Sequence, residues 1–119
     1  MKRFIAMYLR VSTLDQARNG YGLGDQEVQC KKYIDLYYPE DDVEIYKDDG
    51  YSAKNLERPE MARMLEDMKS GKIHTIIAFK LDRLTRNVVD TYKLIKQVMA
   101  YDCSLVAVVD RLDITSANG

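Results

Sequence analysis

Four short apolar runs rich in β-branched or aromatic residues, Phe4–Leu9, Val43–Tyr46, Thr75–Phe79 and Leu105–Val109, alternate with segments of helical spacing. This alternation constrains the fold most. Helical crossovers between short apolar strands imply a mainly parallel sheet covered on both faces. The expected class is therefore α/β, a three-layer α/β/α domain around a mainly parallel sheet of four to five strands.

The intervening segments carry their own punctuation. Cys30, Tyr33, Ile34 and Tyr37 share one helical face, with Asp25 as the expected N-cap. Met61, Met64, Leu65 and Met68 share another, between Pro59 at a first helical position and Gly71 as a stop. Val88, Tyr92, Ile95, Val98 and Met99 form a third stripe, entered through Asn87. The methionine spacing reads as helix packing rather than a cofactor or partner face.

With 119 residues the chain suits one domain with a single core. No stretch approaches the roughly 20 apolar residues of a membrane span. The basic start, Met1-Lys2-Arg3, leads into a short run that continues directly to Arg10, which marks a core strand rather than a signal peptide. A cytoplasmic location is expected. Cys30 and Cys103 lack metal-ligand spacing and read as buried small hydrophobes in a reducing compartment. A formal net charge of −1 argues against a basic domain that coats nucleic acid, so any polyanion contact must be a local site.

Ligands of open parallel α/β sheets bind beyond the carboxyl ends of the strands. Arg10, Ser12 and Thr13 follow the first run, with Tyr8, Arg10 and Ser12 on one face of an extended chain. Asp48, Asp49, Ser52, Lys54 and Arg58 follow the second, and Lys80, Asp82, Arg83, Thr85 and Arg86 the third. Topology thus gathers six cations and several hydroxyls on one rim, a composition suited to phosphate. If residues 82–86 are helical, Asp82 and Arg86 pair at i, i+4. His74 precedes the third run, at the opposite edge of the sheet, and reads as a surface turn residue. That leaves no Ser-His-Asp arrangement. Gly20 to Gly24 fails the dinucleotide fingerprint and reads as a flexible loop, so no nucleotide cofactor is expected.

Four ordered blocks resemble the catalytic domain of serine recombinases, the resolvase, invertase and large serine integrase family. They are residues 8–13 (Tyr-Leu-Arg-Val-Ser-Thr), Asp25-Gln26, Asp49 to Ser52 through Leu56 to Pro59, and Lys80 to Arg86. The loop at Gly20 to Gly24 and the Leu56-Glu57-Arg58-Pro59 run look most like integrases and transposases of mobile elements. One departure is Gly22, where such enzymes commonly carry serine.

The resemblance implies a resolvase-like catalytic domain over residues 1–119, with the family's long C-terminal helix and DNA-binding domains absent. It implies a site-specific DNA recombinase that cleaves and rejoins strands through a covalent 5′-phosphoserine intermediate, by metal-independent transesterification. Ser12 would be the nucleophile. Arg10, Arg83 and Arg86 would surround the scissile phosphate, and Arg58 and Lys80 would support it. Asp82 would orient the arginines or handle a proton, and Tyr8, Gln26 and Ser52 match supporting positions. No metal or other cofactor is implied. DNA is the implied partner, with a dimer and a synaptic tetramer formed by the full-length protein, so the isolated fragment is expected to be inactive. Two other classes compete: a metal-dependent nuclease or phosphatase using Asp48, Asp49 and Asp82, which the crowding arginines disfavour, and a non-catalytic phosphate- or partner-binding module on the same fold.

Overall fold

A computed structural model describes residues 3–12, 22–52 and 56–115. Five strands form one sheet in the order β2-β1-β3-β4-β5: β1 Phe4–Val11, β2 Val43–Asp49, β3 Ile73–Ala78, β4 Ser104–Ala107 and β5 Leu112–Ile114. The first four are parallel, and β5 pairs antiparallel with β4. Helices α1 Leu23–Tyr37, α2 Pro59–Lys69, α3 Leu81–Leu84 and α4 Val88–Ala100 lie between the strands in sequence. The expected three-layer, mainly parallel α/β/α architecture is the one observed.

Strand β1 lies inside the sheet, and every residue from Ile5 to Val11 is buried. Alternation sends Ile5, Met7 and Leu9 to one face, against Cys30 and Ile34 of α1. Ala6 and Tyr8 go to the other, against Met61, Met64 and Met68 of α2 and Leu94 and Val98 of α4. Each such methionine or leucine contributes ~1.5–3 kcal/mol relative to exposure. The methionines therefore serve the core, as their spacing indicates.

Because β2 and β3 flank β1, the chain changes direction across the sheet between β1 and β3. In this strand order the crevice at their carboxyl ends is where a ligand fits. Strand β2 continues through Lys47, Asp48 and Asp49, past the expected apolar run, because β1 beside it supplies backbone partners: Arg10 opposite Asp48 and Val11 opposite Asp49. On the other flank the pairing ends earlier, at Tyr8 opposite Ala78. Strand β1 thus projects beyond β3.

Several local expectations are corrected. Helix α1 begins at Leu23 after Gly22, so Asp25 falls inside its first turn and Gly24 is helical rather than part of a loop; Gly20 and Tyr21 lie outside the described residues. Tyr37 is 61% exposed. The third apolar stripe holds only in part: Val98 is buried and Ile95 packs against the core as expected, but Val88 is 85% and Tyr92 65% exposed, and Leu94, outside the stripe, is buried. Helix α4 touches the sheet through a narrow stripe, and a one-residue shift turns a helix face by about 100°. His74 lies within β3, half-buried, with Nε2 3.0 Å from Asp41 Oδ1 and Nδ1 2.8 Å from Thr75 Oγ1. It does stand at the edge away from the arginines. The short β5 follows a turn in which Arg111 takes φ 54, and it caps the sheet where no apolar run signals a strand. Pro59 begins α2, and Asn87 caps α4 by accepting from the Asp90 N–H. No described helix is long and apolar enough to cross a membrane.

Candidate active site

The projecting end of β1 is secured by side chains rather than by strand β3. On that flank the β1–β3 pairing runs to Tyr8 opposite Ala78, and the Gln26 carboxamide pairs with the backbone of Arg10. Its Oε1 accepts from the Arg10 N–H at 3.3 Å and its Nε2 donates to the Arg10 carbonyl at 2.9 Å. Gln26 is buried, as such a pairing requires. Ser12 follows immediately beyond β1 and is half-buried. Thr13 lies outside the described residues.

The Arg10 side chain is itself fully buried. Its guanidinium donates from Nε to the Arg83 carbonyl (3.0 Å), from Nη1 to the Tyr51 carbonyl (2.7 Å) and from Nη2 to the Asp82 carbonyl (3.1 Å). Gly50, at φ +85, reverses the chain after β2 and so brings the Tyr51 carbonyl into reach. Buried Arg58 makes a parallel attachment, donating from Nη1 to the Arg83 carbonyl (3.0 Å) and from Nη2 to the Leu84 carbonyl. Apart from that of Tyr51, the accepting oxygens belong to the carboxyl end of α3, where unsatisfied carbonyls carry partial negative charge. That explains how the two cations share one neighbourhood. An arginine-rich rim repels itself only if its charges face one another, and here backbone dipoles separate them.

Beside them, Tyr8 donates its hydroxyl to Asp48 Oδ2 at 2.7 Å. Asp48 also accepts from the Glu60 N–H at Oδ1 and the Met61 N–H at Oδ2, each at 3.0 Å. A strand-end aspartate therefore caps α2, whose own N-cap residue, Arg58, makes no side-chain cap bond. Burial raises the Tyr8 phenol well above its ordinary pKa, Arg58 opposes this, and the bond to Asp48 reinforces it. Burial likewise lowers the Arg58 guanidinium, against the pull of Tyr8 and Asp48. The Arg58 guanidinium carbon stands 5.5 Å from the centre of the Tyr8 ring.

The segment after β3 is only briefly helical. Helix α3 stops at Leu84, and Thr85 is extended at φ −143 and ψ 155. The helical i, i+4 relation expected between Asp82 and Arg86 is therefore broken, and Asp82 Oδ1 lies 3.8 Å from Nε of buried Arg83. Lys80, Asp82 and Arg86 line an open groove of about 690 Å³, whose other wall is Val88, Tyr92 and Ile95 of α4.

Three groups emerge from the expected site residues. Tyr8, Arg10, Gln26, Arg58 and Arg83 belong to a buried, hydrogen-bonded cluster. Lys80, Asp82 and Arg86 line the neighbouring groove. Ser12 and Ser52 stand at the exits of β1 and β2, with Ser52 exposed. Asp48 enters the cluster through contacts that its place in the sequence does not announce. Its one cue is position, since it ends a strand shortly before a helix whose N-cap residue is an arginine.

The family model described as "Resolvase, N terminal domain" matches residues 5–119. Among relatives, the transposon Tn2501 resolvase of Escherichia coli is 32% identical over 120 residues, spanning all of this chain and 57% of that protein. A protein of Bacillus subtilis (strain 168) is 38% identical over 86 residues, which is 72% of this chain but 16% of that protein. The chain thus spans well under two-thirds of either relative. Among solved structures, the N-terminal catalytic domain of TP901-1 integrase superposes with a TM-score of 0.85 at 34% identity, covering 98% of this chain and 86% of that one. A resolvase family site-specific recombinase from Streptococcus pneumoniae gives 0.74 at 32% identity, covering 94% and 76%.

Proposed function

Since the chain belongs to the resolvase N-terminal domain family of serine recombinases, we propose that it is the catalytic domain of a DNA-cleaving and -rejoining enzyme whose nucleophile is Ser12. In this reading Ser12 Oγ attacks a DNA phosphodiester, an Oγ–P bond forms, and the P–O3′ bond breaks. The serine proton is lost and the departing 3′ oxygen gains one. The product is a 5′-phosphoserine ester with a free 3′-hydroxyl, and attack by a 3′-hydroxyl on that ester rejoins the strand. The phosphoester is conserved throughout, which is why no external energy source is invoked.

Charge develops on the phosphoryl oxygens, so fixed cations are the expected source of catalysis. Lys80 and Arg86, placed on the groove, would meet an approaching phosphate first, with Arg83 behind them. Arg10 and Arg58 act in the present arrangement through the carbonyls of α3, and so set where Asp82 and Arg83 stand. Asp82 would orient the arginines or carry a proton. Tyr8 and Gln26 support the ends of β1 and β2, and Ser52 stands near the phosphate path.

The observation that carries this reading is Arg10 itself. Its one side chain ties the strand end bearing Ser12 to the segment bearing Asp82, Arg83 and Arg86. Residues 1–119 would form the catalytic domain of a longer cytoplasmic protein, with a long helix and DNA-binding domains elsewhere in it, acting as a dimer and a synaptic tetramer on DNA. The relatives' greater lengths support that division.

The test is a suicide DNA substrate incubated with the full-length protein in excess EDTA. A covalent protein–DNA adduct should accumulate and be absent from Ser12→Ala. An adduct that survives this substitution would remove Ser12 from the role.

A further inference from the structure

We propose that Asp110 is a positioning residue for this reaction, the amino-terminal anchor that fixes where α3 holds Asp82. The inference rests on the recombinase reading above. It begins with backbone pairing beyond the strand ends. The Val108 N–H donates to the Ala78 carbonyl at 3.0 Å and the Val109 N–H to the Phe79 carbonyl at 2.9 Å. Those two bonds carry the chain after β4 alongside the chain leaving β3. Asp110 therefore arrives beside the start of α3, and Arg111, at φ 54, then turns the chain back toward β5. Asp110 Oδ2 accepts from the Leu81 N–H at 2.6 Å.

A helix of four residues cannot hold itself, because one turn does not repay the cost of ordering it. Helix α3 depends on outside attachments. Arg10 and Arg58 hold its carboxyl end, and fully buried Leu84 roots it in the core. Lys80, at the N-cap position, makes no side-chain cap bond. Asp110 supplies that bond from across the sheet, as a charge-assisted one.

Losing it would release Leu81 and let the first turn re-aim the Asp82 side chain, while Arg10 and Arg58 still hold the Asp82, Arg83 and Leu84 carbonyls. Asp82 lines the groove with Lys80 and Arg86, and Asp110 lines it too. The group displaced would be the carboxylate set among the reacting cations. A small misplacement there lowers rate without abolishing substrate binding.

The experiment compares Asp110→Ala and Asp110→Asn in the full-length protein by rate of adduct formation, DNA affinity and thermal midpoint. It adds the Leu81 amide proton resonance of the 119-residue chain. A carboxamide oxygen can accept the Leu81 bond and a methyl group cannot. Asp110→Ala should slow adduct formation about tenfold or more without weakening DNA binding, while the thermal midpoint falls by only the few degrees that loss of a helix cap brings. Asp110→Asn should stay within about threefold of the parent. The Leu81 amide proton should move upfield in Asp110→Ala and less in Asp110→Asn.

Equal losses in the two variants would overturn the proposal, and so would a rate loss in Asp110→Ala that disappears when the assay is run well below its midpoint. An unmoved Leu81 resonance in Asp110→Ala overturns the anchor itself. A parent protein that forms no adduct instead overturns the recombinase reading.

Discussion

Arg10 and Arg58 donate to one oxygen, the carbonyl of Arg83, each at 3.0 Å. A carbonyl has two lone pairs, and both are engaged here by guanidinium groups from different elements, β1 and the start of α2. The oxygen is thereby the joint between three strand exits. Both arginines, which the family resemblance sets around a phosphate, build in this structure the frame on which the groove-lining residues stand.

Arg10→Ala should consequently be costly, by about 3–5 kcal/mol, because it strands the Tyr51 and Asp82 carbonyls and empties a buried site. Exposed Arg86 makes the contrast. Arg86→Ala should change stability by less than about 0.5 kcal/mol, yet lower adduct formation about 100-fold or more. Urea unfolding and adduct assays separate the two. Equal stability for both variants would contradict the framing role of Arg10.

Gln26 must both accept and donate. Gln26→Glu keeps an acceptor for the Arg10 N–H but loses the donor to the Arg10 carbonyl, and it adds a buried charge. It should destabilise by about 1–3 kcal/mol, as Gln26→Leu should. A glutamate variant as stable as the parent would show that the Arg10 carbonyl needs no partner there.

Tyr8 and Asp48 should be energetically coupled. Tyr8→Phe removes one of three bonds to the Asp48 carboxylate and should cost about 1 kcal/mol, whereas Asp48→Ala also uncaps α2 and should cost about 2–3 kcal/mol. A double-mutant cycle should return about 1 kcal/mol of interaction. Strict additivity would place the Tyr8 hydroxyl elsewhere.

Glu60 provides a pH signature. Arg63 grips it with a fork, Nε to Oε2 at 2.8 Å and Nη2 to Oε1 at 2.9 Å. Those bonds lower the Glu60 pKa, burial opposes them, and the Arg63 charge adds to them. A depressed folded-state carboxylate stabilises fully above its unfolded value and loses that contribution as pH falls through the folded one. Parent and Glu60→Gln should therefore differ by about 0.5 kcal/mol near neutrality and converge in acid. A difference that grows on acidification would reverse the assignment.

Cys30 and Cys103 should be unreactive while the fold persists. Both are buried free thiols, and burial pushes each up to about 12. The thiolate is the reactive form, so alkylation near neutral pH should proceed only as fast as unfolding exposes the sulfur. Rapid labelling of the native protein would show that α1 at Cys30, or the approach to β4 at Cys103, opens readily.

Much of the architecture was legible because apolar periodicity is a local property. Met61, Met64 and Met68 announce a helix face by spacing alone, and they fill the core as that spacing requires. The stripe through Val88 and Tyr92 misleads for the same reason. Spacing identifies a helix but does not say which slice of it meets the sheet, and α4 meets it through Leu94 and Val98. Strand β5 has too few residues to show a period at all.

By itself the sequence determined the fold class and which strand ends carry cations and hydroxyls, since the succession of strands and helices follows from the pattern of apolar residues. Tertiary structure alone decided that Arg10 and Arg58 turn inward onto α3, and that Asp48 and Asp110 cap helices distant from them in sequence. The physical reason is common to all four. Each pairs with backbone N–H or C=O groups, which nearly every residue possesses and which leave no mark in the sequence. Only the extension of β1 beyond β3, and the brevity of α3, brought those groups within reach.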